Sequence, residues 1–240
     1  MVENKTKEHF NNIAENYKEE IPDHTRDHLI NKFWSLTSYC FSNNCKVIDI
    51  GCGDGTNIAF FRSKGVNAVG VDVSEKLIKR GKQRYPQLQN VIFEGDALNL
   101  QFQDNTFDIA IMIGVLHHIY SKSDQVRAVR EALRVVRDNG AVIIRESNLT
   151  NPLFRIFWNY IFPLTAKIDR FGGENWISPK KLSGLFNDAI EKTFYFTFIP
   201  NFTPQVLIPL AGRVEAFLEN SPLKKMSAHY AVVLKKHKSP

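Results

Sequence analysis

Two hydrophobic rhythms alternate along most of this chain. Short apolar runs mark strands buried on both faces, and stretches with apolar residues three or four positions apart mark helices. The runs predict strands over Lys46–Ile50, Ala68–Asp72, Val91–Glu94, Phe107–Ile113 and Ala141–Glu146. Helices are predicted between them over Thr56–Lys64, Ser74–Arg84 and Asp124–Val136, and the Asp138-Asn139-Gly140 turn leads into the fifth strand. This βαβα order implies a mostly parallel, doubly wound α/β sheet with helices on both faces.

Both ends of the chain depart from that rhythm. Two helices are predicted ahead of the first strand, Lys7–Glu19 and His24–Phe41, the second carrying Leu29, Ile30, Phe33, Trp34 and Leu36 at helical spacing. Beyond Asn151 an aromatic-rich stretch runs from Pro152 to Trp176, after which Ser178-Pro179 opens a short helix reaching Asn187. Two further strands, near Lys192–Ile199 and Ala228–Lys236, flank a segment that Pro200, Pro204 and Pro209 mark as irregular. There is no internal repeat and no low-complexity segment.

Composition narrows this to a single compact domain: 240 residues, 43% hydrophobic and 23% charged, suffice for one substantial core. The net charge of +6 permits an anionic partner, but much of the excess sits in Lys224, Lys225, Lys235, Lys236 and Lys238, which a solvated tail also explains. Cys40, Cys45 and Cys52 form neither a disulfide framework nor a complete metal set, which fits a reducing compartment and a cytoplasmic location. The polar opening, Met1 to Glu20, is no signal peptide, and no apolar run reaches the roughly 20 residues of a membrane span.

The turn Val47-Ile48-Asp49-Ile50-Gly51-Cys52-Gly53-Asp54-Gly55-Thr56 joins the first strand to its helix. Glycines at alternate positions let the backbone turn sharply and approach a ligand. A dinucleotide site begins the same way, but a diphosphate needs a helix N-terminus free of competing negative charge. Here Asp49 precedes the first glycine and Asp54 separates the last two, which suits the ammonium end of a methionine moiety instead. Asp72 follows about 20 residues on, at a strand end where a carboxylate can accept hydrogen bonds from two ribose hydroxyls. Capping of the next helix by Asp72 or Ser74 is the alternative.

With these residues in view, Val47 to Thr56, Val71-Asp72-Val73-Ser74, Gly95-Asp96-Ala97 and Phe107-Asp108 to His118 resemble the successive motifs of class I S-adenosylmethionine-dependent methyltransferases. The resemblance covers about Phe10 to Asn148 and is strongest at the first motif. It implies a seven-stranded sheet whose last strand is antiparallel and inserted between the fifth and sixth. It also implies a division of labour: residues 1–45 as a helical lid, 46–148 as the cofactor core, and 149–240 as the acceptor half with an inserted aromatic-rich cap. The turn holding Asp49, Gly51 and Gly53 would lie against the cofactor, Asp72 and Val73 would hold the ribose, and Asp96 and Ala97 would meet the adenine. Ile113 would line the methionine side, and Tyr17 resembles a residue of the segment that folds over the cofactor, where simple helix packing is the alternative. For Asp96, capping of the following turn competes.

A sulfonium methyl is already activated, so the protein must mainly align an acceptor with it and exclude water. A hydroxyl or acidic carbon as acceptor also calls for a base, and His117 or His118, after the fourth strand, is the candidate. Glu146, ending the fifth strand, would orient that base or the substrate, with a buried salt bridge to Arg145 or another arginine as the competing reading. The paired histidines have no metal-ligand spacing, so S-adenosylmethionine, leaving as S-adenosylhomocysteine, is expected as cofactor without a metal. Three readings stand for the aromatic segment at 152–168: a lid over an apolar acceptor, an interfacial membrane helix, or core. The function expected is methyl transfer to O, N or C of a small, partly apolar metabolite, with lipid-like acceptors among the candidates. An RNA-directed enzyme and a non-catalytic cofactor-binding subunit are the alternatives.

Overall fold

Seven strands make one sheet: β1 (Lys46–Ile50), β2 (Asn67–Asp72), β3 (Ile92–Glu94), β4 (Phe107–Ile113), β5 (Val136–Ser147), β6 (Ile190–Phe196) and β7 (His229–Lys235). They lie in the order β3-β2-β1-β4-β5-β7-β6 in a computed structural model that describes residues 2–16, 22–156, 159–160, 175–200 and 203–237. The pairs among β1 to β5 are parallel, and β7 runs antiparallel to both β5 and β6. The reversed last strand thus sits between the fifth and sixth, as the motifs implied.

The strands read as unbroken apolar runs because both faces are covered. On one face Ile48, Ala110, Met112, Val142 and Ile144 pack with Ala128, Val129 and Ala132 of α5 (Lys122–Val135). On the other, Val47, Ile109, Ile111 and Ile143 pack with Phe33 of α2 (Asp23–Thr37) and with Ile58 and Phe61 of α3 (Thr56–Ser63). From β1 the chain moves outward to β2 and β3, then returns to place β4 on the other side of β1. That reversal opens a crevice at the carboxyl ends of β1 and β4, where ligands of such sheets collect.

α4 (Glu75–Arg84) starts at Ser74, whose hydroxyl accepts the Leu77 amide, and presses Gly81 against the glycine turn. A Cβ on Gly81 would lie 2.4 Å from the carbonyl oxygen of Asp54. In an open helix, glycine to alanine gains about 1 kcal/mol. Here the backbone collision should reverse the sign, so Gly81→Ala is expected to lose about 1–3 kcal/mol in urea denaturation. A gain in stability would show that α4 is not seated on the turn.

The helical segments differ from expectation at the ends of the chain. α1 (Val2–Ile13) begins earlier than predicted and runs into a 3-10 turn, Ala14–Asn16. The predicted excursion at Asp138-Asn139-Gly140 exists, with Asn139 at φ 60°, but β5 begins before it: Val136 faces Phe107 and Ala141 faces Ile109 across the interruption. Beyond β5 come α6 (Pro152–Ile156), α7 (Pro179–Leu185) and α8 (Ile208–Glu219). The segment predicted to be irregular therefore contains a helix of 12 residues. Pro209 lies in its first turn, where no intrahelical acceptor awaits the missing amide.

α8 is tied to α2 by a buried carboxylate. Glu215 accepts His28 Nε2 at 2.8 Å, Lys32 Nζ at 3.0 Å and the Phe198 amide at 2.7 Å, and Lys32 also reaches Glu219 at 2.7 Å. Burial alone would raise the Glu215 carboxyl, but the hydrogen bonds from His28, Phe198 and Lys32, with the Lys32 charge, outweigh it and hold the group down to about 2. A depressed folded-state value stabilises the fold above the ordinary carboxylate value near 4.5 and stops doing so as pH falls toward 2. That linkage amounts to on the order of 3 kcal/mol. Urea midpoints measured from about pH 6 to about pH 3 should fall more steeply for the wild type than for Glu215→Gln. Parallel curves would contradict the pairing.

Candidate active site

The turn between β1 and α3 is built as its glycines predict. Gly51, Gly53 and Gly55 all have positive φ, and a Cβ on Gly51 would come within 2.5 Å of Val115 Cγ2. The amides of Gly51 and Cys52 donate to the Val71 carbonyl at 2.8 and 2.9 Å, which locks the turn to the end of β2. Asp72, buried there, accepts the Gly53 amide on Oδ2 at 2.8 Å and the Ser74 amide on Oδ1 at 2.9 Å. Its carboxylate is thereby fixed at a strand end beside the turn, the position in which an acid meets a ribose.

The other acids of the motif are placed differently. Asp49 is fully buried on the face that carries Val47. Asp54 is also fully buried, and its oxygens accept the Thr56 hydroxyl at 2.7 Å and Arg84 at 3.3 Å. Its carboxylate holds the start of α3 and the end of α4, which differs from the ammonium contact expected of it. Asp96 Oδ1 accepts the Leu98 amide at 2.8 Å, the capping arrangement that competed with adenine contact, while Ala97 packs at the edge of the core. Val73 lies between Asp72 and the cap Ser74, and Ile113 ends β4 packed against the second core cluster. Tyr17 lies outside the described residues.

α1 packs against this region through residues that the sequence did not single out. Asn11 Oδ1 accepts the Ser74 hydroxyl at 2.7 Å and the Lys76 amide at 3.3 Å. Arg80 reaches back to the carbonyls of Ala14 and Glu15, and Phe10 sets its ring edge-on to His118 at 4.9 Å.

Across the crevice, Glu146 organises the turn after β4. Its Oε1 accepts the amides of Val115 at 3.1 Å and Leu116 at 2.8 Å, and its Oε2 accepts His117 Nδ1 at 2.6 Å. A carboxylate only accepts, so His117 carries a proton on Nδ1, and in the neutral form of the ring the lone pair is on Nε2. Trp176 stacks on that ring, 4.2 Å away and 5° from parallel. The Asn175 amide donates to the His117 carbonyl at 2.8 Å, pinning the segment that delivers the indole. His118 lies 3.9 Å from His117, and burial, reinforced by His117 and His9, holds it well below the ordinary histidine value. His118 is therefore neutral at pH 7.

The competing salt bridge between Glu146 and Arg145 does not form. Successive side chains on a strand point to opposite faces, and Ile144 and Ile143, which precede them, belong to opposite core clusters. Arg145 is paired in register with Ile113 and Ala231, and among the described residues its Nε has no hydrogen-bond partner. Burial pulls its guanidinium down to about 10, with the Glu146 charge acting the other way. Burial first, and the Arg145 charge second, keep His229 well below the ordinary histidine value. Trp176 was not assigned to the site from sequence, whereas the period-two alternation of β5 already separated Arg145 from Glu146.

Several known proteins are similar to this chain. A methyltransferase domain family matches residues 48–144. Demethylmenaquinone methyltransferase of Staphylococcus epidermidis is 28% identical over 81% of this chain and 92% of its own length. That of Lysinibacillus sphaericus is 29% identical over 62% of this chain and 71% of its own. Among solved structures, a methyltransferase of Methanosarcina mazei that depends on S-adenosylmethionine superimposes with a TM-score of 0.60 at 19% identity, covering 85% of this chain and 98% of that one. A methyltransferase of Thermotoga maritima, described as a possible histamine N-methyltransferase, gives 0.61 at 18% identity, covering 95% and 100%.

The chain carries a methyltransferase domain and is an S-adenosylmethionine-dependent methyltransferase with the class I fold. The methyltransferase uses S-adenosylmethionine as its cofactor, and its glycine turn leaves no room for a side chain at Gly51. Among the described residues, no group of three or more His, Cys, Asp or Glu side chains could hold a metal ion, and no helix is long and apolar enough to cross a membrane.

Proposed function

We propose that this methyltransferase acts on a small, partly apolar acceptor of the quinone type, using His117 as the base and Glu146 to position it. The hydrogen bond of 2.6 Å between His117 Nδ1 and Glu146 Oε2, at the carboxyl ends of β4 and β5, is the observation that carries this reading. When bound, the cofactor supplies a methyl group on a sulfonium that departs as a neutral thioether. His117 Nε2 takes the proton that the acceptor carbon or oxygen gives up on methylation, and Glu146 stabilises the imidazolium that forms. Asp72 and the turn at Gly51 and Gly53 hold the cofactor's ribose and methionine portions, with Asp49, Val73, Asp96, Ala97 and Ile113 completing its surroundings.

The choice of acceptor class is supported by the relatives, whose names give demethylmenaquinone as what they methylate. The test is release of S-adenosylhomocysteine from the purified chain given S-adenosylmethionine and reduced demethylmenaquinone. Turnover that disappears in His117→Ala is expected. Turnover only on RNA, or full activity in His117→Ala, would overturn the reading.

A further inference from the structure

α8 is turned inside out relative to an ordinary surface helix, whose apolar stripe faces the core and whose charges face water. Its two acids point inward: Glu215 is 1% exposed within the network of His28 and Lys32, and Glu219 is held by Lys32. Its outward side is apolar. Val206 is 82% exposed, Phe217 74%, Leu210 62% and Val214 54%, and Leu207 and Leu223 are exposed beside them. Leu207, Leu210, Val214 and Phe217 recur at spacings of three and four residues, so they form one continuous stripe. Scattered apolar residues need no explanation, but a contiguous stripe rimmed by polar groups marks an interaction surface.

The charge around the stripe identifies its partner. Between residues 203 and 226 the only acids are the two inward-facing glutamates, while Arg213, Lys224 and Lys225 are exposed. Asn148 and Asn151 donate to the carbonyls of Lys225 and Met226, so α6, with Ile156 exposed, begins beside the same basic turn. A second copy docking through this face by two-fold symmetry would set Arg213, Lys224 and Lys225 near their own counterparts with no exposed acid in the segment to offset them. An apolar stripe edged by cations matches the boundary between acyl chains and anionic headgroups.

We propose that the outward face of α8, with the turn at Leu223-Lys224-Lys225, docks this protein on the surface of an anionic lipid bilayer. The stripe inserts among the upper acyl chains, and Arg213, Lys224 and Lys225 meet lipid phosphates. This surface lies outside the 152–168 segment singled out in the sequence, and the proposal does not depend on which acceptor is methylated.

Flotation of the full chain with vesicles tests it. Vesicles of equal parts phosphatidylcholine and phosphatidylglycerol should carry the protein upward, pure phosphatidylcholine far less, and raising the salt to about 0.5 M should weaken the association. Val214→Glu with Phe217→Glu should lower the bound fraction at least about tenfold while leaving S-adenosylhomocysteine affinity unchanged. Val206→Ser with Leu210→Ser, a milder exposed pair, should show the same trend if the first variant folds poorly. Absence of flotation on anionic vesicles overturns the proposal, as does flotation undiminished in both variants. A concentration-dependent dimer that the variants abolish, without vesicle binding, would assign the face to a second copy and likewise overturn it.

Discussion

Glu146→Gln is expected to lower kcat by about 10²–10⁴ while changing stability by no more than about 1 kcal/mol. The glutamine carbonyl can still accept the amides of Val115 and Leu116, as Glu146 Oε1 does. Its NH₂ then occupies the place of Oε2, opposite His117 Nδ1. A donor there makes Nδ1 the acceptor and moves the ring proton to Nε2, so the lone pair needed for proton removal faces the wrong way. The shape of the site is retained and its proton inventory is reversed. Glu146→Ala should behave differently, because three donors lose their buried acceptor together, at a cost on the order of 3–5 kcal/mol. Comparing kcat and KM with the urea midpoint separates the two effects: a glutamine variant with unchanged kcat would remove His117 from the chemistry.

The second large effect is expected at Asp72. Gly53 and Ser74 direct amide donors at its two oxygens. In Asp72→Asn one of those donors must face the new NH₂, so the turn and the acid that should meet the ribose are disturbed together. Affinity for S-adenosylhomocysteine, measured by calorimetry, is expected to fall about 10- to 100-fold, or about 1.5–3 kcal/mol. Unchanged affinity would show that Asp72 serves only to hold the backbone.

The sheet was legible because its strands are buried on both faces. β1 and β4 were predicted with the bounds observed, since a run such as Phe107–Ile113 leaves few alternatives to a central strand. The glycine turn was equally legible: positive φ and close approach are properties that residue types alone betray. Harder to read were contacts between segments distant in sequence. Nothing local in Asn11 announces that it caps an interaction with Ser74, 63 residues away, and Trp176 could not be matched to His117 without the fold. α8 was hidden for another reason. Pro209 looks like a breaker until its place in the first helical turn is known, and a helix whose acids point inward and whose apolar side points outward gives a misleading account of which face is core. Asp54 has a structural task that its place in a ligand turn does not announce, since Thr56 and Arg84 engage its carboxylate.

The docking of α1 ties the two halves of the crevice to the very start of the chain. It is held by Thr6 on the His118 carbonyl, by the Lys7–Glu94 ion pair, by the side chain of Asn11, by the edge of the Phe10 ring, and by Arg80 on the carbonyls that follow. Polar contacts of that kind are worth about 1 kcal/mol each, and they cost little to break one at a time. Substitutions on the inner side of α1 should therefore be felt in how readily ligands enter and leave the crevice.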